Sequence, residues 1–257
     1  MEKSLKTLGD LNRLNQLTPA RIALERAGSS IATRHILNFD LDHARARDAV
    51  HLPFDAKKIK TRLDARKTPS IKVCSAATNR TVYLQRPDLG RQLDEESRKM
   101  LETVPSPAPP GFDIGIVIAD GLSTCAIHNN AILFLDRFLS ITSIRDLSCA
   151  PVVIASQARV ALADEIGEIL NVRLSIILIG ERPGLSASDS MGIYLTWSPK
   201  KGRTDAERNC LSNIRQGGLN HEEAALRLAN LLSGAFKVGL SGVHLKETSQ
   251  LSQQPLS

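Results

Sequence analysis

LSIILIGERPG, residues 174–184, decides how the rest of the chain is read. From Leu174 to Ile179 the run is almost wholly aliphatic; it then turns into Gly180, Glu181, Arg182, Pro183 and Gly184. A continuous aliphatic run has no polar face, which suits a strand covered on both sides. Gly and Pro at its end mark a tight loop. In open α/β sheets, ligands bind at the carboxyl ends of the strands. Glu181 and Arg182 are therefore placed to touch a ligand; the alternative is a solvated turn in which the two pair with each other.

Working outward, residues 114–119 and 151–155 read as buried strands, 191–197 as an alternating strand and 209–214 as a short last strand. Helices are expected at 124–139, capped by Ser123 or Thr124, at 161–170 and at 222–236. Strand and helix alternate, which predicts an α/β fold: a doubly wound, mainly parallel sheet with helices on both faces. Upstream, Thr18-Pro19 reads as the start of a helix reaching Gly28, and a second helix follows at 30–48. Residues 51–70 look charged and irregular. Residues 71–76 and 81–84 carry β-formers and read as a hairpin, and QRPDLGR (85–91) leads into a helix ending near Met100.

VPSPAPPG, residues 104–111, is the clearest linker, since four prolines in eight residues suit neither helix nor central strand. It predicts a smaller, mostly helical N-terminal region over 1–104, a sheet domain over 111–246 and a polar, disordered tail over 247–257. Charge divides at the same place: residues 1–110 hold 20 Lys and Arg against 13 Asp and Glu, the remainder 13 against 14. A basic half points to an anionic ligand, an acidic protein surface or nucleic acid. No aromatic-interleaved basic stretch offers base stacking, so nucleic acid is not the expected partner. No apolar run approaches the ~20 residues of a membrane span, and the N-terminus has no signal-peptide core, so a reduced, cytoplasmic setting is expected. Cys74, Cys125, Cys149 and Cys210 are scattered, which suits free thiols better than a disulfide framework or a metal site.

The loops DGLST (120–124), SQARV (156–160) and GERPG (180–184) should meet at one edge of the sheet, with CLSNIRQGG (210–218) near them. They are rich in Gly, Ser and backbone donors, as a partly apolar, phosphate-bearing ligand would require. GxGxxG, the P-loop pattern and GxSxG are all missing, which argues against a standard dinucleotide site, a P-loop or a hydrolase nucleophile. Cys210 reads either as a nucleophile or as a small contact residue. The residues describe a binding module for a bulky cofactor. Two other readings stay open: a free-standing α/β module for a nucleotide or other phosphate ligand, and a basic nucleic-acid adaptor.

Taken together, YLQRPDLGRQL (83–93), VIADGLST (117–124), DEIGEIL (164–170), IGERPGL (179–185), WSPK (197–200) and NCLSNIRQGG (209–218) resemble the small (light) subunit of ethanolamine ammonia-lyase across roughly residues 18–240. The resemblance implies an adenosylcobalamin-dependent enzyme that converts ethanolamine to acetaldehyde and ammonia. It implies a large catalytic subunit as partner, and a Rossmann-like domain in this chain that covers the cofactor's nucleotide side. The cobalamin contacts it implies fall on Val160, Glu181 and Cys210, with no catalytic residue in this chain. In the role assigned to it here, Glu181 accepts hydrogen bonds from the cofactor's amides, and Val160 and Cys210 give apolar contact. No DxHxxG motif occurs, which favours the base-on cofactor the family implies. Family members often carry Gly where this chain has Ala158. Many also have a longer N-terminal extension associated with bacterial microcompartments, an alternative to a free cytoplasmic location.

Overall fold

The computed structural model describes residues 18–245 except 19, 23, 25 and 110. Residues 1–17 and the tail predicted over 247–257 lie outside the described residues. The first elements are short strands β1 (Arg26–Ala27) and β2 (Ser30–Ile31), paired antiparallel about Gly28, whose φ of +64° suits the turn. This corrects the helix predicted from Thr18 to Gly28. Helix α1 (Thr33–His51) follows, then α2 (Ala56–Asp64) in the segment read as irregular. Asp55 caps α2 by accepting from the Lys58 amide at 2.8 Å. Ile59 and Leu63, four apart, bury its inner face, a signal hidden among charged neighbours.

Strand β3 (Ser70–Cys74) leads to α3 (Arg80–Gln85), α4 (Glu95–Glu102), β4 (Phe112–Ala119), α5 (Thr124–Ser140) and α6 (Thr142–Arg145). The predicted hairpin is thus a strand and a helix. Asn79 caps α3 by accepting from the Val82 amide at 3.0 Å, and burial of Tyr83 overrides the β-propensity of Thr-Val-Tyr-Leu. The chain continues with β5 (Val152–Ser156), α7 (Leu162–Ile169), β6 (Val172–Gly180), β7 (Met191–Trp197), β8 (Arg208–Ile214) and α8 (His221–Val238).

Six strands form one sheet in the order β3-β5-β4-β6-β7-β8. The first four are parallel, whereas β7 pairs antiparallel with β6 and β8 antiparallel with β7. The structure therefore corrects the mainly parallel expectation to a mixed sheet. The physical reason is length: ten residues separate β6 from β7 and carry no helix, too little for a parallel crossover. The sheet also runs across the proline-rich stretch, because β3 from the N-terminal region pairs with β5 from beyond it.

Alternating side chains of the central strands enter two separate cores. Ile114, Ile116 and Ile118 of β4 join Leu174, Ile176 and Leu178 of β6 on one face, under α2, α5 and α8. Val117, Ala119, Ile177 and Ile179 pack on the other face with Leu101 of α4 and Leu162 and Ile166 of α7. The chain passes from β4 through α5 to β5 on one side, then returns through α7 to β6 on the other side of β4. Right-handed crossovers in opposite directions put the two helices on opposite faces.

Candidate functional site

Where the winding direction reverses, the loops after neighbouring strands part and leave a crevice. Here that point lies at the carboxyl ends of β4, β5 and β6. Asp120 immediately follows β4 and is 1% exposed. It accepts from the backbone amides of Gly121 at 2.9 Å, Gln157 at 2.9 Å and Ala158 at 3.0 Å, with the Arg80 guanidinium at 3.4 Å. Burial pushes its carboxyl up to about 6, against the opposing pull of those amides and of Arg80. Arg80 also donates to the carbonyls of Val50, Gly121 and Leu122, so it ties α1, α3 and the DGLST loop together.

Tyr83 is fully buried, and its hydroxyl donates to the Ala158 carbonyl at 3.0 Å. The guanidinium carbons of Arg80 and Arg159 lie 4.8 Å and 4.3 Å from its ring centre. Burial raises the Tyr83 hydroxyl well above its ordinary range, so it stays protonated. Gly90 permits this arrangement: a Cβ there would lie 2.9 Å from Cγ of Arg159 and 3.1 Å from the Tyr83 ring.

A cleft of 380 Å³ opens above this base, lined by Leu122, Arg159, Val160, Ile179, Glu181 and Tyr194, among others. Val160 and Glu181 thus share a wall. The Glu181 carboxylate accepts from the hydroxyls of Ser190 and Ser212 and from the Asn213 amide at 3.3 Å. Its backbone amide donates to the Ser190 carbonyl at 3.0 Å. Among the described residues Glu181 has no ion pair with Arg182, so the self-paired turn is not what forms. Cys210 does not line the cleft. It stands opposite Tyr194 in the β7–β8 ladder, and Tyr194 reaches the cleft in its place. Partial desolvation pushes the Cys210 thiol up, so it is protonated near neutral pH and a weak nucleophile.

The sequence reading missed Asp120, Arg80, Tyr83 and Arg159 as a connected unit. Tyr83, Asp120 and Arg159 lie within quoted blocks, but their contacts span distant parts of the chain and leave no local signal.

The model of the family described as ethanolamine ammonia-lyase light chain (EutC) matches residues 9–246. The chain belongs to this family. Proteins named ethanolamine ammonia-lyase small subunit are close relatives: those of Pseudomonas fluorescens Pf-5 and Pseudomonas putida KT2440 are 50% identical over 93% of this chain, covering 87% and 88% of their own lengths. That of Pseudomonas paraeruginosa PA7 is 51% identical over the same share of this chain and 87% of its own. Members of the ethanolamine ammonia-lyase light chain family are subunits of a carbon–nitrogen lyase, and the match here takes in every strand and loop of the cleft. No helix of the described residues is long and apolar enough to cross a membrane.

Proposed function

We propose that this chain is the cobalamin-binding small subunit of an adenosylcobalamin-dependent ethanolamine ammonia-lyase, acting with a large catalytic subunit to convert ethanolamine to acetaldehyde and ammonia in the cytoplasm. We read its four parallel strands and their helices as a Rossmann-like, doubly wound unit, with the cleft at its switch point. One observation carries the proposal: Val160 and Glu181, far apart in sequence, line the same cleft.

The residues present fit a corrinoid edge. Leu122, Val160 and Ile179 supply an aliphatic wall, and Glu181 and Tyr194 supply polar atoms for peripheral amides. Bound adenosylcobalamin supplies a carbon radical by homolysis of its cobalt–carbon bond. This chain's residues bind and orient. The Ser190 and Ser212 hydroxyls fix the direction of the Glu181 carboxylate, and its remaining lone pairs can accept amide hydrogens. Cys210 acts through Tyr194, by contact in the ladder.

Helix α1 supports the partner half of the proposal. Ile36, Leu37, Phe39 and Leu41 are all exposed on it, and Ala49 is its buried residue. Apolar side chains spread around an uncovered helix suit burial against another chain.

Co-purification with a large subunit in the presence of adenosylcobalamin, followed by an acetaldehyde assay, tests the reading. Activity is expected only when both chains and the cofactor are present. A chain that neither associates with the large subunit nor retains cobalamin would make the phosphate-ligand module the better account.

A further inference from the structure

A separate cavity of 250 Å³ lies against the Arg80–Asp120 pair and shares no lining residue with the cleft of Val160 and Glu181. Its outer wall is the corner between α1 and α2, with Leu52 and Phe54. Its inner wall carries Thr124, the first residue of α5, and Gln157, just beyond β5. The corner is fixed before anything binds. Arg80 donates to the Val50 carbonyl at 2.7 Å, Phe54 stacks on His128 with ring centres 5.8 Å apart, and the Asp55 amide donates to His128 Nε2 at 3.1 Å.

Two polar atoms on the inner wall have nothing to bond. Thr124 is 1% exposed, and its Oγ1 has no hydrogen-bond partner among the described residues. Gln157 Oε1 is likewise buried and unpaired. Gln157 cannot easily withdraw: its backbone amide donates to Asp120 at 2.9 Å, and its carbonyl accepts from the Ser75 hydroxyl at 2.6 Å. Buried polar atoms without partners are costly, and two of them facing one cavity point to an occupant that pairs with both.

The walls define that occupant. The Arg80 guanidinium and the unpaired first-turn amides of α5 disfavour a cation. The Asp120 carboxylate and Gln157 Oε1 disfavour an anion. A neutral group that both donates and accepts remains. A carboxamide gives its two hydrogens to the lone pairs of Gln157 Oε1 and offers its carbonyl to the Thr124 hydroxyl, whereas an alcohol has a single hydrogen to give.

We propose that this cavity receives an Asn or Gln side chain of the large subunit. The proposal rests on the large-subunit half of the proposed function. The cavity's rim continues the same surface: Leu52, 43% exposed, follows directly on α1, the helix whose Leu37, Phe39 and Leu41 stand uncovered. A preformed pocket beside exposed apolar side chains is the usual setting of a residue that dominates an interface.

The test measures dissociation of the assembled complex on dilution, and cyanocobalamin affinity of the complex while it is intact. Thr124→Val keeps the shape and removes the hydroxyl. Gln157→Asn tolerates the φ of +56° and draws the amide oxygen back. Each should weaken association with the large subunit about tenfold and leave cyanocobalamin affinity unchanged. Thr124→Val should not lower the chain's own urea midpoint, because it deletes an unpaired buried hydroxyl. Leu52→Ala, at the exposed rim, should weaken association too and keeps the test valid if the buried variants fail to fold. Exchanging surface Asn and Gln residues of the large subunit for Ala should reveal one whose loss is not additive with Thr124→Val. Unchanged association in all three variants, or no Asn or Gln that couples to Thr124, would overturn the proposal. Weakened corrinoid binding with association intact would overturn it by giving the cavity to the cofactor's own amides. A wild-type chain that does not associate with the large subunit would remove the reading beneath it.

Discussion

Asp120 and Glu181 occupy matching places, each just beyond the carboxyl end of a central strand. Each also accepts from the backbone amide of a non-glycine residue with positive φ: Gln157 at +56° beside Asp120, and Asn213 at +61° beside Glu181. The surroundings then diverge. Asp120 is enclosed, and its four donors are the amide of the next residue, Gly121, and two amides and a guanidinium from distant elements. Glu181 is half-exposed, held by two hydroxyls and one amide, and borders open space. The first carboxylate is consumed in joining loops; the second is aimed and left accessible. Two acids at equivalent strand ends can thus serve structure and ligand respectively, and burial decides which.

Asp120→Ala should have the largest effect. It leaves three amides without an acceptor and the half-buried Arg80 without its carboxylate, and should cost about 3–5 kcal/mol in urea unfolding. A loss near that of an ordinary surface substitution would mean that the two acids are not different in kind.

Next come the two left-handed residues. Gln157→Val and Asn213→Val place a β-branched side chain at positive φ and should each cost about 1–3 kcal/mol. The Gln157 change should be the worse for folding, because its amide serves a buried acid. The Asn213 change should be the worse for cobalamin retention. Thermal unfolding and corrinoid titration of the same two proteins separate these outcomes.

Glu181→Ala should leave the chain folded, with a stability loss of about 1 kcal/mol. Cobalamin affinity of the complex should fall about tenfold, equivalent to about 1.4 kcal/mol. Unchanged retention would place Glu181 with Asp120 as a structural acid.

The smallest effect is a slope in pH. The Asp120 carboxyl titrates near 6 when folded and near the ordinary 3.8 when unfolded. Between those values the folded chain holds the extra proton, so this group's contribution to stability falls as pH rises from about 4 to 6 and is flat above. Asp113, Asp136 and Glu207, held low by Ser148 and Arg173, by Arg66, and by Thr204 and Arg203, contribute with the opposite sign. The difference in urea midpoint between wild type and Asp120→Asn at pH 4.5 and 7 isolates the term. A difference that grows with pH would contradict the burial of this acid.

The almost wholly aliphatic run of β6 was sufficient to place it inside the sheet, because a strand with no polar face can only be central. Strands β4 and β5, and α5 with its Ser123 cap, were legible for the same local reasons. Loops 120–124, 156–160 and 180–184 were legible as one edge, since parallel strands bring their carboxyl ends together. What local pattern misread was α2, α3 and the direction of β7. In α2, charged residues mask an apolar pair; in α3, β-formers turn helical under an Asn cap; for β7, direction depends on the length of the connection.

The sequence by itself determined the α/β class, the central strands and the loops that rim the cleft, because periodicity, caps and turn residues act within a few positions. Only the tertiary structure decided which acid is buried, that Val160 and Glu181 share a wall while Cys210 stands beside Tyr194 in the ladder, and that Arg159 has no counter-ion among the described residues. Those outcomes depend on burial and on partners tens of residues away, which no short stretch of chain encodes.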